Sequence, residues 1–551
     1  MTKIKGISTV AIVAIIAAIV VVAGLAWYLT LPPAPPPGPK YKDTLIWGTT
    51  DSVEHTIDPA QAYDFFGWCI IQQTGLTLVE IRPGSEAGPE DIIPALATDW
   101  TVSDDMKTWT FNIRHGVKFE DGTEVTADDV KYSFDRSKNI ACPEGFQVSM
   151  GTFEVLIDSV EVTGKYQVVF HLKVPCAYFL QYLACQAFSI VNPKYAPFDS
   201  LTEYVEGDAR ASYAVDCGRY KLTKWVRVAG KDVEMKLEAN PNYWNASGGW
   251  PKTKNIIIKM YSDPTALRMA LEAGDVDIAF RHLTATDIAD LQGNPNVKVW
   301  EGKGAAIQYM IFQEHMPPFD DARARRALAA ALNRPAVCET VFLGQAKPLY
   351  SIIPEGLIGH TEAFKALGDA NYELTRSLLA ELGYDEDNKL KIDLWYESSG
   401  HYPQSAEQAL MYKESFEASG VIEVTLHPAD WPSYRANRNA EIMQVYIYGW
   451  YPDYIDPDNY AWLYFASWLH HNYIETDNGK AMKALWEQAG SAPAEERPGL
   501  YAQIDELAVQ DCPVVPIFSI TPYAVTKPNV YGVVMDITQS WRLWLMYAIE
   551  E

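Results

Sequence analysis

The chain has 551 residues, a formal charge of −26, a pI near 4.8 and 12% aromatic side chains. Nucleic-acid binding is excluded as a main role, because phosphates would be repelled by such a surface. About 510 residues follow Tyr41, enough for two to four domains with sizeable cores.

Lys3 and Lys5 precede Ile7 to Thr30, a run of 24 residues without a charge. As a helix this run would be about 36 Å long and able to cross a hydrocarbon core. It is an export signal or an anchor, with the lysines on the cytoplasmic side and the bulk of the chain delivered outside. A signal-peptidase cut near Val21 to Ala26 competes with a cut after Gly6. Lys5-Gly6 followed by ISTVAIVAIIAAIVVVAG resembles the class III, prepilin-type signals of exported archaeal binding proteins and pilins, which implies a cut at Gly6 and a retained anchor. Residues 1–30 are therefore expected to be signal or anchor. Residues 31–40 follow as a linker, in which PPAPPPGPK holds six prolines and favours a stiff polyproline II spacer.

Seven cysteines leave at least one unpaired. Cys176 and Cys185 flank AYFLQYLA and are the candidate disulfide, worth about 2–3 kcal/mol if it closes. Cys69, Cys338 and Cys512 sit in apolar runs and suit a core. Arg323, Arg325 and Arg326 have helical spacing in an alanine-rich stretch and are expected on a solvated face.

In GWYPDYIDPDNY, Gly449 to Tyr460, four aromatics meet acidic residues and two prolines. VYIYGW, Val445 to Trp450, feeds it as a buried strand stopped by Pro452. Asp453 then stands at the strand's end, where Trp450, Tyr451 and Tyr454 are candidate walls of a ligand cleft. The alternative is a solvated acidic turn over a core tryptophan.

Catalytic motifs are absent: no HExxH, GxSxG, P-loop or complete GxGxxG occurs. No enzyme, cofactor or metal site is expected. His470 and His471 are adjacent, so on a helix they diverge, and the acids of the turn lack the glycine and final glutamate of an EF-hand.

LATDWTVSDDMKTWTFNIRHGVKFEDGTEVTADDVKYSFDR, Leu96 to Arg136, resembles the signature of the family 5 extracellular solute-binding proteins, receptors of oligopeptide, dipeptide and nickel ABC importers. Within it WTFNIRHGVKF alternates as a half-buried strand, and Thr126 caps a helix with acids in its first turn. CGRYKLTKW, NPNYW, DPTALRMALEAGDVDI, YMIFQEHMPPFDDARARRALAAALNR and GWYPDYIDPDNY follow in order. The resemblance implies a two-lobed α/β fold of the periplasmic-binding-protein type with an extra inserted domain. Domain I would combine Tyr41 to Ile81, Ala214 to Ala305 and Pro522 to Glu551. Domain II would be the insertion Arg82 to Tyr213, and domain III would run from Ala306 to Thr521. Hinges would lie near Ala305 and Thr521.

The resemblance also implies that Asp453 pairs with a peptide α-ammonium and that Trp450 lines the cleft. Such a pair is worth about 4 kcal/mol at 4 Å and an effective dielectric near 20, less the cost of drying both partners. Trp431 matches a pocket tryptophan and Arg438 an arginine for the ligand carboxylate. Core packing and a surface salt bridge are the alternatives for these two residues. A second arginine of the pattern is Ile447 here. Peptide is the expected ligand, with β-linked oligosaccharide as the alternative and, behind both, an exported hydrolase or a nickel-binding protein. A monomer working with a permease at the outer face of the cell membrane is expected.

Overall fold

Two apolar hydrogen-bonded layers dominate the molecule, and each is built from strands far apart in sequence. The computed structural model describes Lys40 to Glu550 except Ala87, Ser467, His471, Asn472 and Gln539. The apolar run Ile7 to Leu29 and the proline-rich spacer before Lys40 lie outside the described residues. Among those described, no helix is long and apolar enough to cross a membrane. Lys42 to Ile549 form one compact unit.

The larger sheet has seven strands in the spatial order Lys298–Glu301, Tyr523–Thr526, Ile278–Ala279, Thr44–Thr49, Asn255–Met260, Lys231–Ala239 and Tyr220–Val228. A second sheet runs Ala346–Pro348, Val514–Ile520, Ala306–Phe312, Val445–Trp450, Leu390–Glu397 and Ile422–Ala429. Between Ile81 and Tyr213 the chain builds its own antiparallel sheet, Ala97–Val102, Thr108–Ile113, Gln167–Leu172 and Ile157–Gly164. Each sheet has its own buried apolar cluster, around Trp47, Tyr309 and Phe170 respectively.

Local signals explain these elements. Val445–Trp450 is a central strand, antiparallel to Ala306–Phe312 and parallel to Leu390–Glu397, and so is apolar on both faces. The helix Ala127–Ile140 starts at Thr126, whose N–H and hydroxyl both donate to the Asp129 carboxylate at 2.8 and 2.9 Å.

Two expectations need correction. Arg325 is buried rather than solvated: its helix Ala322–Ala331 lies beside Arg497–Asp511, and the guanidinium takes the Phe319 and Asp511 carbonyls and the Asp511 carboxylate. A buried arginine so surrounded has two nitrogens on main-chain carbonyls and a third on a carboxylate. Cys176 and Cys185 are separate buried thiols, one before and one after the helix Phe179–Leu183.

The chain passes between the two large sheets at 301–306 and at 520–523. These crossings lie side by side. Glu301 is opposite Tyr523, the Gly302 N–H donates to the Pro522 carbonyl at 2.9 Å, and Ala306 is opposite Ile520. Gly304 is needed there, since a Cβ would overlap the Ile520 carbonyl oxygen. Gly304→Ala is expected to lower stability by about 1–3 kcal/mol in urea unfolding.

Candidate functional site

The turn after Val445–Trp450 sends its three acids to different partners. Asp456 forms a two-pronged ion pair with Arg497, at 2.9 and 2.5 Å, and both side chains are 2% exposed. Asp458 accepts the Tyr454 hydroxyl at 2.5 Å. Asp453 is 9% exposed and among the described residues meets only neutral donors: Tyr63 Oη at 3.2 Å and Asn459 Nδ2 at 3.4 Å, both on Oδ2. Burial pushes the Asp453 carboxyl up to about 7, against the downward pull of those two hydrogen bonds. Asp458 is likewise raised to about 7, by burial and by the Asp456 charge beside it. A calcium loop is not what these acids make, because Asp456 is already neutralised.

Asn459 organises the turn. Its Oδ1 accepts the Asp453 N–H and the Trp450 indole N–H, both at 3.0 Å. Trp450 then packs edge-on to Trp462 at 5.5 Å. Tyr451 is 42% exposed and lines a cavity of about 340 Å³ between the two large sheets. Tyr454 departs from the cleft-wall expectation: it is 5% exposed, stacks on Tyr178 at 5.6 Å and belongs to the core of the four-stranded sheet.

Trp431 opens the helix Trp431–Asn439, and Arg438 lies in its last turn. Trp431 stacks on His401 at 3.6 Å and lies near Tyr402 and Tyr448. Arg438 donates to Tyr448 Oη at 2.6 Å and covers the Trp468 ring at 4.6 Å, with no carboxylate partner among the described residues. Ile447 is buried in the sheet's core. Trp431 and Arg438 therefore share one aromatic cluster with Tyr448, while Asp453 and Tyr451 stand at the strand's far end.

Several residues that shape this region carry no local sequence signal. Tyr63 reaches Asp453 across 390 positions of chain. Glu397, 1% exposed, gathers the backbone N–H groups of Ser399, His401 and Tyr402 and so pins the loop that carries His401. Gly449 makes room for Tyr402, since a Cβ would lie 2.8 Å from its ring. The adjacent pair divides: His470 is buried between the Glu314 carboxylate and the Leu463 carbonyl and stacks on Tyr473, and His471 lies outside the described residues. Among the described residues no three His, Cys, Asp or Glu side chains gather as a metal site.

The description "Bacterial extracellular solute-binding proteins, family 5 Middle" matches residues 91–469. The chain belongs to this family. Family 5 membership places its working site outside the cytoplasm. Heme-binding protein A of Haemophilus influenzae is 29% identical over 84% of this chain and 85% of its own length. Di/tripeptide-binding protein 2 of Pseudomonas aeruginosa is 28% identical over 83% and 85%. These relatives are named for solutes that they bind, not for reactions. Among solved structures, the periplasmic binding protein DppA of Helicobacter pylori in complex with the peptide STSA superposes with a TM-score of 0.76 at 23% identity, covering 93% of this chain and 99% of that one. That likeness establishes the two-lobed α/β fold for the family 5 chain.

Proposed function

We propose that the protein is the extracytoplasmic receptor of an ABC importer for short peptides, closing on its ligand between the two large sheets and leaving it chemically unchanged. One observation carries the reading: Asp453, two residues from the cavity-lining Tyr451, is a buried carboxylate that among the described residues receives neutral donors and no cation, which suits a ligand ammonium. Relatives named for di- and tripeptides support it. The relatives named above are described by heme or by peptides, which favours peptide over the oligosaccharide alternative. On this reading the three sheets mark three domains with the boundaries given above, the paired crossings are the hinge, and the receptor acts as a monomer.

Binding is expected to depend on pH. An ammonium needs the ionised carboxylate, so affinity for an unblocked dipeptide should rise about tenfold per pH unit towards pH 7. It should fall again above about pH 8, where the peptide amine itself loses its proton. Isothermal titration between pH 5.5 and 9 reads this bell. A flat profile would remove the ammonium from Asp453.

The receptor is further proposed to stay tethered through Ile7 to Leu29, since Lys5-Gly6 precedes an unbroken apolar run and the prolines make a spacer. N-terminal sequencing of protein from the native membrane fraction is expected to start at Ile7. A start at Gly24 or beyond, with the protein free in the medium, would overturn the tether.

A further inference from the structure

The 340 Å³ cavity is small for its class: ligand pockets run from about 300 to 1,000 Å³, so this one suits a compact solute. Its walls are mostly apolar, with Phe65, Phe280 and Trp541 on the side of the seven-stranded sheet and Phe342 and Tyr402 opposite. Two charged side chains line it besides two histidines, and they differ in what they have left to offer. Asp536 is saturated: Oδ2 pairs with Arg542 and accepts the Gly84 N–H, and Oδ1 accepts the Thr538 N–H and hydroxyl. Arg281 is not.

Arg281 is held in place by groups behind it. Its Nε lies 3.3 Å from Asp51 Oδ2, and its Nε and Nη2 donate to His282 Nε2 at 3.1 and 2.8 Å. A histidine nitrogen that accepts carries no proton, so the ring is neutral and adds no charge of its own. Asp51 does not line the cavity. The guanidinium is clamped near Phe65, 4.3 Å, and Tyr451, 5.4 Å, and its Nη1 has no hydrogen bond to any described residue. Nearby, Trp541 is 1% exposed, lines the same cavity and has an indole N–H with no partner among the described residues. A cation with a spare donor and a buried unpaired N–H call for an acceptor-rich anionic group.

Two short steps join this place to Asp453. Tyr63, which donates to Asp453, is two residues from Phe65. Tyr451 is two residues from Asp453. Each step spans at most about 7 Å. We propose that Arg281, assisted by the Trp541 N–H, anchors the carboxylate of a small, partly apolar ligand, so that the cavity selects dipeptides and tripeptides over longer chains. The peptide part of this inference rests on the function proposed above. The carboxylate part does not.

The test uses titration calorimetry with Ala-Phe, its C-terminal amide, its N-acetyl form and the hexapeptide Ala₅-Phe, and thermal shift with 3-phenylpropionate, which has a carboxylate and no amine. Wild type is expected to lose about ten- to a hundredfold on amidation, to bind the hexapeptide at least tenfold more weakly than Ala-Phe, and to be stabilised by 3-phenylpropionate. In Arg281→Gln the amidation penalty and the phenylpropionate shift should vanish while the penalty for N-acetylation persists. Because that variant strands Asp51, the neutral pair Asp51→Asn/Arg281→Gln is measured alongside it, with circular dichroism to establish folding. If peptides fail but phenylpropionate stabilises wild type and not the variants, the peptide function falls and the carboxylate anchor stands. Equal binding of Ala-Phe and its amide, or responses unchanged by both variants, overturns the anchor. Equal affinity for the hexapeptide overturns the length selection.

Discussion

Replacing Asp453 by asparagine is expected to weaken binding of an unblocked dipeptide by about 1.5–3 kcal/mol, the scale of a charge-assisted hydrogen bond. An N-acetylated peptide should lose far less, because it brings no ammonium. The same substitution should change the empty protein in the opposite sense. The Asp453 carboxyl is raised to about 7 in the fold from an ordinary value near 3.8. A raised carboxyl gives its full stability below the unfolded value and costs stability as pH climbs towards and past the folded one. Asp453→Asn should therefore be more stable than wild type at pH 8, by about 1 kcal/mol or more, and the gap should close near pH 4. Urea unfolding at both pH values measures it. Weaker ligand binding with no stability gain at pH 8 would mean that the carboxylate is not desolvated as described.

Arg497→Met is expected to have the largest effect on folding. It leaves Asp456 buried without its cation and next to Asp458, whose carboxyl is already pushed up to about 7 by burial and by the Asp456 charge. Removing one partner of a buried pair costs about 3–5 kcal/mol. The loss should be mostly recovered by adding Asp456→Asn, since the second change removes the stranded charge. A loss under about 1 kcal/mol for Arg497→Met would show that the pair is more solvated than its 2% exposure indicates.

The contiguous features were legible in the sequence. Val445–Trp450, Thr126 at its helix start and the turn that presents Asp453 announce themselves through local spacing, hydrogen-bonding habit and proline. Groups assembled from distant segments were not. Tyr63, Arg281 and Trp541 carry no local pattern that separates a cleft residue from a core or surface one, and only tertiary pairing brings them to the strand's end. The arginine periodicity misled for a related reason: Arg325 fits a solvated helix face until the helix Arg497–Asp511 covers it. The neighbours of Tyr454 in sequence point it to the cleft, yet consecutive turn residues enter different apolar clusters, Tyr454 with Phe170 and Ile455 with Tyr309, and the Tyr454 ring goes to Tyr178.

As the proposed hinge, the side-by-side crossings at 301–306 and 520–523 would constrain how the receptor moves. Two ribbons tied by hydrogen bonds along their edges flex easily across their shared width and resist shearing within it, as a leaf spring does. Opening should then follow one arc, with little torsion of one lobe against the other. Every closing stroke would return the wall carrying Arg281 to the same position over Tyr451. A ligand too long for that arc would prop the jaws apart, leaving the permease a shape that it reads as empty.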